Sequence, residues 1–417
     1  ASSSSQHVAP DMTRGEARHD IVVYGATSFV GQILGRYLVG RHRTVGPVRW
    51  ANAGRNAAKL AAVADDTGAD VPRIIAEAAD RPALDELAAS TRVVISTVGP
   101  YALYGSELVA AVVEAGTDYC DLTGEVQWMR RMIDAHQTRA EETGARIVHA
   151  CGFDSIPSDV GAWFTQQRAI DAFGEPCVDL RMAVAGMKGG VSGGTAASGI
   201  NMFEEMSADP SLRKETANPY VLAPADLRSG PAQPGFGRPR RDERFASWVG
   251  PFVMAPTNSA VVLRTHALLG QPWGRDFTYG ETMMTGDGLV GAVAAYGMTA
   301  GLATFAGLAS FGPTRGVLTR VIPSPGEGPS PARQQAGWFD VRFAGRTASG
   351  HEIRTKVTGD QDPGYGSTAK MLGEAAGAFL DVDRSTTAGG FWTPASAFGD
   401  AVVERLEAHA GLRFEVL

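Results

Sequence analysis

With 417 residues, 44% hydrophobic and 20% charged, the chain is long enough for two domains or one domain with a large insertion, and its 51 glycines point to many tight turns. A net charge of −7 without a basic run excludes nucleic acid as the main partner, because phosphate neutralisation needs clustered positive charge. Three cysteines without CxxC spacing (Cys120, Cys151 and Cys177) and eight histidines without HxxxH or HExxH spacing leave no case for a disulfide framework or a metal, and fit a cytoplasmic setting.

Residues 1–19 are polar and Ser-rich, lack the apolar core of a secretory signal, and read as a disordered tail. Over residues 20–155, short β-branched runs alternate with Ala-rich helical stretches. The runs lie at Ile21–Val23, Trp50–Ala53, Arg73–Ile75, Val93–Ile95, Tyr119–Leu122 and Arg146–Val148. Parallel neighbours need long crossovers, so this alternation predicts an α/β fold: an N-terminal Rossmann domain with a doubly wound parallel sheet of roughly six strands.

The first strand runs into Gly25-Ala-Thr-Ser-Phe-Val-Gly31, a glycine-bracketed loop that opens a helix. Its first glycine permits a tight turn, its last allows close helix packing, and the helix N-terminus offers amides to a pyrophosphate. Ser28 stands at the middle position, where glycine is usual. Candidate cofactor contacts here are Gly25, Thr27, Ser28, Phe29, Val30 and Gly31. After the second strand, Gly54-Arg55-Asn56 occupies the place where an NAD site carries an acid; a guanidinium suits a 2′-phosphate, so Arg55, Asn56 and Lys59 are read as the NADP(H) determinant. Asp80 is either an adenine contact or a helix N-cap.

The fourth strand leads into Thr97-Val-Gly-Pro-Tyr101, where Thr97, Val98, Gly99 and Tyr101 are placed beside the nicotinamide half of the cofactor. Tyr119-Cys-Asp-Leu-Thr-Gly-Glu125 and Cys151-Gly-Phe-Asp-Ser-Ile-Pro-Ser158 leave the next two strands. Tyr101, Tyr119, Asp121, Glu125 and Asp154 are all eligible proton donors; Tyr101, Tyr119 and Asp154 are taken as the catalytic candidates, with loop bracing as the competing role for each. Cys120 and Cys151 read as buried residues more than nucleophiles.

Residues 156–365 are expected to form a second, α+β domain for substrate or dimerisation, with strands at Val178–Ala185, Ala260–Thr265, Gly337–Phe343 and His351–Val357. Within it, residues 288–314 carry no charge and are long enough to span a bilayer, and three roles compete: a buried or homodimer-interface helix, a peripheral docking element at the inner membrane face, and a true span. Arg315 and Arg320 just beyond could meet anionic headgroups. Residues 366–417 read as C-terminal helices, about Ser367–Leu380 and Ala397–Ala410, packing back on the Rossmann domain.

With these motifs assembled, the chain resembles the saccharopine dehydrogenase-like oxidoreductases and, among them, the actinobacterial trans-acting enoyl reductases. The resemblance rests on the Gly25, Gly54, Thr97, Tyr119 and Gly152–Asp159 motifs, and on Ser192–Thr195, Pro325–Pro329 and Gly364–Met371. It implies a Rossmann domain closed by a C-terminal α+β domain, and NADPH-dependent reduction of a carbon–carbon double bond in an acyl or polyketide thioester held by a carrier protein. An imine-reducing amino-acid dehydrogenase, with Arg181, Arg264 and Arg354 as carboxylate binders, is the first alternative. The second is a membrane-associated NADP(H)-binding scaffold without catalysis.

Overall fold

A computed structural model of the protein describes residues 17–45, 48–189, 193–235, 237–310 and 328–417. The expectations placed on residues 1–16, on Ser192, on 311–314, on Arg315 and Arg320 and on 325–327 lie outside these residues.

The first sheet holds β1 (His19–Tyr24), β2 (Trp50–Gly54), β3 (Arg73–Ile75), β4 (Thr91–Ser96), β5 (Asp118–Asp121) and β6 (Arg146–Val148). The second holds β7 (Cys177–Lys188), β8 (Arg240–Asp242), β9 (Ser247–Gly250), β10 (Thr278–Gly286), β11 (Trp338–Thr347) and β12 (Glu352–Gly359). Near the C-terminus, β13 (Gly390–Trp392) joins the first sheet and β14 (Leu412–Val416) the second. The orders are β13-β6-β5-β4-β1-β2-β3, parallel throughout, and β14-β12-β11-β7-β10-β9-β8, antiparallel except for β7 against β10. The expected Rossmann sheet is therefore present with a seventh strand added, and the second unit is the expected α+β layer.

Helices cover both faces of the first sheet, which is why its strands are apolar runs without alternation. Leu34 and Leu38 of Phe29–Val45 and Leu372 and Ala376 of Gly366–Asp381 pack on one face; Leu84, Leu87, Val109, Val112 and Met129 of three further helices pack on the other. Helix Ile156–Phe173 then carries the chain onto the second sheet, where Gly161 lets it approach closely: a Cβ there would lie 2.5 Å from the Phe343 ring.

Two expectations in the second unit are corrected. The run Ala260–Thr265 is the middle of a helix, Ala255–Leu268, buried on nearly every side. A short continuous apolar run does not separate a strand from a fully buried helix, and here the helix prevails because it packs between Ile156–Phe173 and β10. The expected helix Ala397–Ala410 is two helices, Pro394–Phe398 and Asp400–His409, divided at Gly399, whose φ is +52°.

Buried ion pairs fasten the last fifty residues to the Rossmann sheet. Arg146 donates to Asp118 Oδ2 at 2.8 Å and to the carbonyls of Phe379 and Val382 at 2.7 and 2.8 Å, and Arg384 also reaches Asp118. On the neighbouring helix, Glu374 accepts from Tyr37 at 2.5 Å, from Arg41 at 2.6 Å and from Arg405 at 2.8 Å. These contacts fix where the C-terminal helix meets the first one, and with it the floor of the site.

Candidate active site

The loop after β1 is a tight glycine turn that opens onto the N-terminus of helix Phe29–Val45. Gly25 has φ +88°, and a Cβ there would stand 2.6 Å from Val98 Cγ2; a Cβ on Gly31 would stand 2.3 Å from the Gly25 carbonyl. Thr97 Oγ1 donates to that carbonyl at 2.9 Å and also lies 2.9 Å from Ser28 Oγ. Ser28 is explained: its hydroxyl accepts the Gly31 amide at 2.9 Å, capping helix Phe29–Val45. The amides of Phe29 and Val30 remain at the open first turn. Their side chains face inward, the Phe29 ring meeting Tyr365 edge-on at 4.8 Å and Val30 packing on the core, so both residues serve the corner through backbone. Thr27 uses its carbonyl to accept from Gln32 at 3.2 Å.

At the next strand end, Arg55 is exposed and carries no ion pair among the described residues. Asn56 caps helix Ala57–Thr67 by accepting the Lys59 amide at 2.9 Å, which leaves Lys59 exposed on the same turn. Burial pushes the Tyr24 phenol up to about 12; the Glu77 carboxylate adds to the shift and Arg55 opposes it, so both charges lie around the β1 end. Asp80 accepts the Ala83 amide at 3.2 Å and is the N-cap of Arg81–Ala89.

The three catalytic candidates separate. Tyr101 is buried, donates to the Ser96 carbonyl at 3.0 Å and accepts the Leu122 amide at 3.2 Å. Tyr119 is buried too and donates to Asp121 at 3.0 Å, beside His149 Nδ1 at 2.7 Å from the same carboxylate oxygen. Burial raises both phenols well above the ordinary tyrosine range. Both hydroxyls lie in the layer under the strand ends, each bonded to protein partners. Asp154 differs. It is half-buried in the loop after β6, 3.8 Å from where a Gly124 Cβ would stand, and burial raises its carboxyl to about 6. Cys120, Cys151 and Cys177 are free and buried, and burial pushes the Cys151 and Cys177 thiols up, away from nucleophilic use.

Two further carboxylates, the eligible Glu125 and the unforeseen Glu281, organise the contacts around these loops. Glu125 accepts the Tyr101 and Ala102 amides at 2.8 and 2.9 Å and the Ser198 hydroxyl at 2.8 Å, so helix Gly193–Ala208 is anchored beside the Gly99 turn. Glu281, on β10, accepts from Tyr279 at 2.8 Å and from Asn258 at 2.9 Å; Asn258 donates also to Ser158 at 3.0 Å, and its Oδ1 lies 3.1 Å from Ser155 Oγ. Burial raises Glu281 to about 7, and Asp159, which accepts from Thr265 and the Ala395 amide, to about 7 as well.

These shifts have a sign. Both carboxyls bind protons more tightly in the folded chain than in the unfolded one, where they titrate near 4, so stability falls as pH rises from about 4 through 7. Urea unfolding at pH 5 and pH 8 is expected to show a loss on the order of 1–3 kcal/mol from each group, smaller in Glu281→Gln. An equal loss in wild type and variant would remove Glu281 from the account.

The comparisons with known proteins agree with this architecture. A trans-acting enoyl reductase of Mycobacterium bovis (strain BCG / Pasteur 1173P2) is 39% identical over 411 residues, covering 95% of this chain and 97% of its own. A provisionally named trans-acting enoyl reductase of Mycobacterium tuberculosis (strain ATCC 25618 / H37Rv) is 41% identical over 413 residues, with the same coverage. The chain belongs to the trans-acting enoyl reductase family. No family model matches it. Among solved structures, saccharopine dehydrogenase (L-Glu forming) of Saccharomyces cerevisiae covers 96% of this chain and 100% of its own with a TM-score of 0.53; at 14% identity it shows a shared fold alone. In this member of the enoyl reductase family, Arg181, Arg264 and Arg354 do not converge. Arg264 is buried and holds the carbonyls of Leu222 and Phe391, Arg181 pairs with Asp179, and Arg354 is exposed on β12.

Proposed function

We propose that the protein is an NADPH-dependent reductase of the carbon–carbon double bond in an enoyl thioester of lipid or polyketide origin, presented on a carrier protein. The observation that carries this reading is Asp154: a half-buried carboxyl raised to about 6, on the same strand-end rim as the Gly25–Thr97 corner. The names of the relatives supply the reaction, and three unpaired, buried cysteines fit a reducing cytoplasm.

The residues present fit the cofactor. Gly25 and Gly31 leave room for backbone approach, the Phe29 and Val30 amides would hold the pyrophosphate, and exposed Arg55 with Lys59 would take the 2′-phosphate. Thr97, Val98 and Gly99 lie along the path toward the reacting end, with Gly99 exposed and without a side chain to block it. When bound, the nicotinamide supplies the hydride for the β-carbon. Asp154 then holds a proton at its carboxyl and releases it to the α-carbon as negative charge develops there, saturating the double bond.

The test is NADPH absorbance loss against a panel of enoyl thioesters, run beside amino-acid and keto-acid pairs. Oxidation with the enoyl panel alone is the expected result. Turnover with the amino-acid pairs alone would select an imine dehydrogenase, for which Arg181, Arg264 and Arg354 form no common clamp.

A further inference from the structure

Helix Gly288–Ser310 is at odds with its surroundings. It has 23 residues, and its most apolar stretch has a mean hydropathy of 1.5, yet only 11% of that stretch is buried. Its inner face packs on β9, β10 and helix Gly193–Ala208: Gly291, Ala295 and Ala309 are buried, and a Cβ on Gly250 would stand 3.3 Å from Met298 Sδ. The outer face holds Leu289 at 80% exposure, Val290 at 81%, Val293 at 64% and Tyr296 at 59%. At a step of roughly 100° per residue, the exposed positions cover more than half the circumference, and no charged side chain stands anywhere on the helix.

Three of its hydroxyls are bonded within the helix itself. Thr299, Thr304 and Ser310 each donate to the carbonyl four residues earlier, at 2.9, 2.8 and 2.7 Å. Such back-bonding is what a helix needs where no water is available to hydroxyl groups. A surface helix facing water normally shows a polar face opposite its apolar stripe, and an apolar patch of this width marks an interaction site.

We propose that this helix docks the protein on a lipid surface, lying in the plane of the interface with its outer face among the acyl chains. It does not span: its inner face packs on β9, β10 and helix Gly193–Ala208, and a helix lying on a sheet cannot also cross a bilayer. A second copy of the chain is the other candidate occupant. A partner helix covers one stripe and is aligned by flanking charges, whereas this outer face is wide and uncharged.

The placement links the surface to the site. Helix Gly193–Ala208 lies against the apolar helix, with Ser207 Oγ 3.5 Å from the Ser310 carbonyl, and it bonds through Ser198 to Glu125 at the Tyr101 turn. A lipid surface at Gly288–Ser310 is thus one helix away from the proposed nicotinamide end. On the reading of the protein as an enoyl-thioester reductase, this is where a long acyl chain finds an apolar environment.

The experiment is flotation of the full chain with phosphatidylcholine vesicles at low and high salt, comparing wild type with Leu289→Glu/Val293→Glu. These side chains are exposed, so the fold tolerates the change, and NADPH binding checks it. Wild type is expected to float at both salt concentrations, because the contact is uncharged, and the double variant to lose at least about tenfold in bound fraction. Failure of wild type to float, or equal flotation of the variant, would overturn the proposal. So would a dimer in sedimentation velocity that the substitutions dissociate while wild type ignores vesicles. Flotation needs no turnover: intact docking with no enoyl reduction would strike the functional reading and leave the lipid surface standing.

Discussion

Exchange of Arg55 for aspartate is expected to reverse the preference for NADPH over NADH, moving the ratio of the two kcat/KM values by about two orders of magnitude or more. Arg55 follows β2 directly, at the place where a carboxylate would bind ribose hydroxyls in an NAD site, and its side chain is exposed. A hydrogen bond to a charged group contributes about 1.5–3 kcal/mol, and aspartate replaces that attraction with repulsion. Because the Arg55 side chain is exposed, unfolding free energy should change by less than about 0.5 kcal/mol. The measurement is steady-state kinetics with both cofactors beside a urea melt. An unchanged ratio in a stably folded variant would show that the 2′-phosphate is not read by Arg55.

The second large effect belongs to Asp154. Asp154→Asn keeps the size and half-buried place of the side chain but carries no proton to give, so kcat should fall by about 10²–10⁴-fold while NADPH affinity stays near its original value. The pH profile is the sharper readout. A proton donor raised to about 6 works in its protonated form, so wild-type kcat falls as pH rises above about 6, and that limb should be absent from the residual rate of the variant. A limb that survives Asp154→Asn would assign the donor to another group. Neither buried phenol is offered for that place, since the Tyr101 hydroxyl is held between the Ser96 carbonyl and the Leu122 amide and Tyr119 is committed to Asp121.

The chain's text carried the first sheet nearly complete. Each of the six expected strand runs overlaps an observed strand, because a parallel sheet buried on both faces leaves continuous β-branched runs separated by long crossovers. It carried the tight glycine turn after β1 as well, since a glycine at φ +88° and another pressed against its carbonyl are written directly in residue type. The nine-residue β10 escaped, and so did the short strands β8, β9, β13 and β14. With three to five residues each, they are extended because a neighbouring strand pairs with them, and no local pattern announces that. Ala260–Thr265 was misassigned for a related reason: its burial on all sides comes from the elements packed around it.

Within the candidate site, the sequence alone determined which residues stand at strand ends: Gly25, Arg55, Thr97, Tyr101, Asp121 and Asp154 follow from the order of runs and loops. It could not say which of them face outward. That was decided by tertiary packing, which closes Trp128 and Tyr119 around Tyr101, binds Glu125 to a helix from the second domain, and leaves Asp154 partly open with its proton held near neutrality. A side chain's charge and acidity depend on how much water it keeps, and that is set by residues far away in the chain. The apolar run from Gly288 was equally visible in the sequence, but only the packing of its inner face against β9 and β10 showed that it lies along the protein with Leu289, Val290, Val293 and Tyr296 exposed.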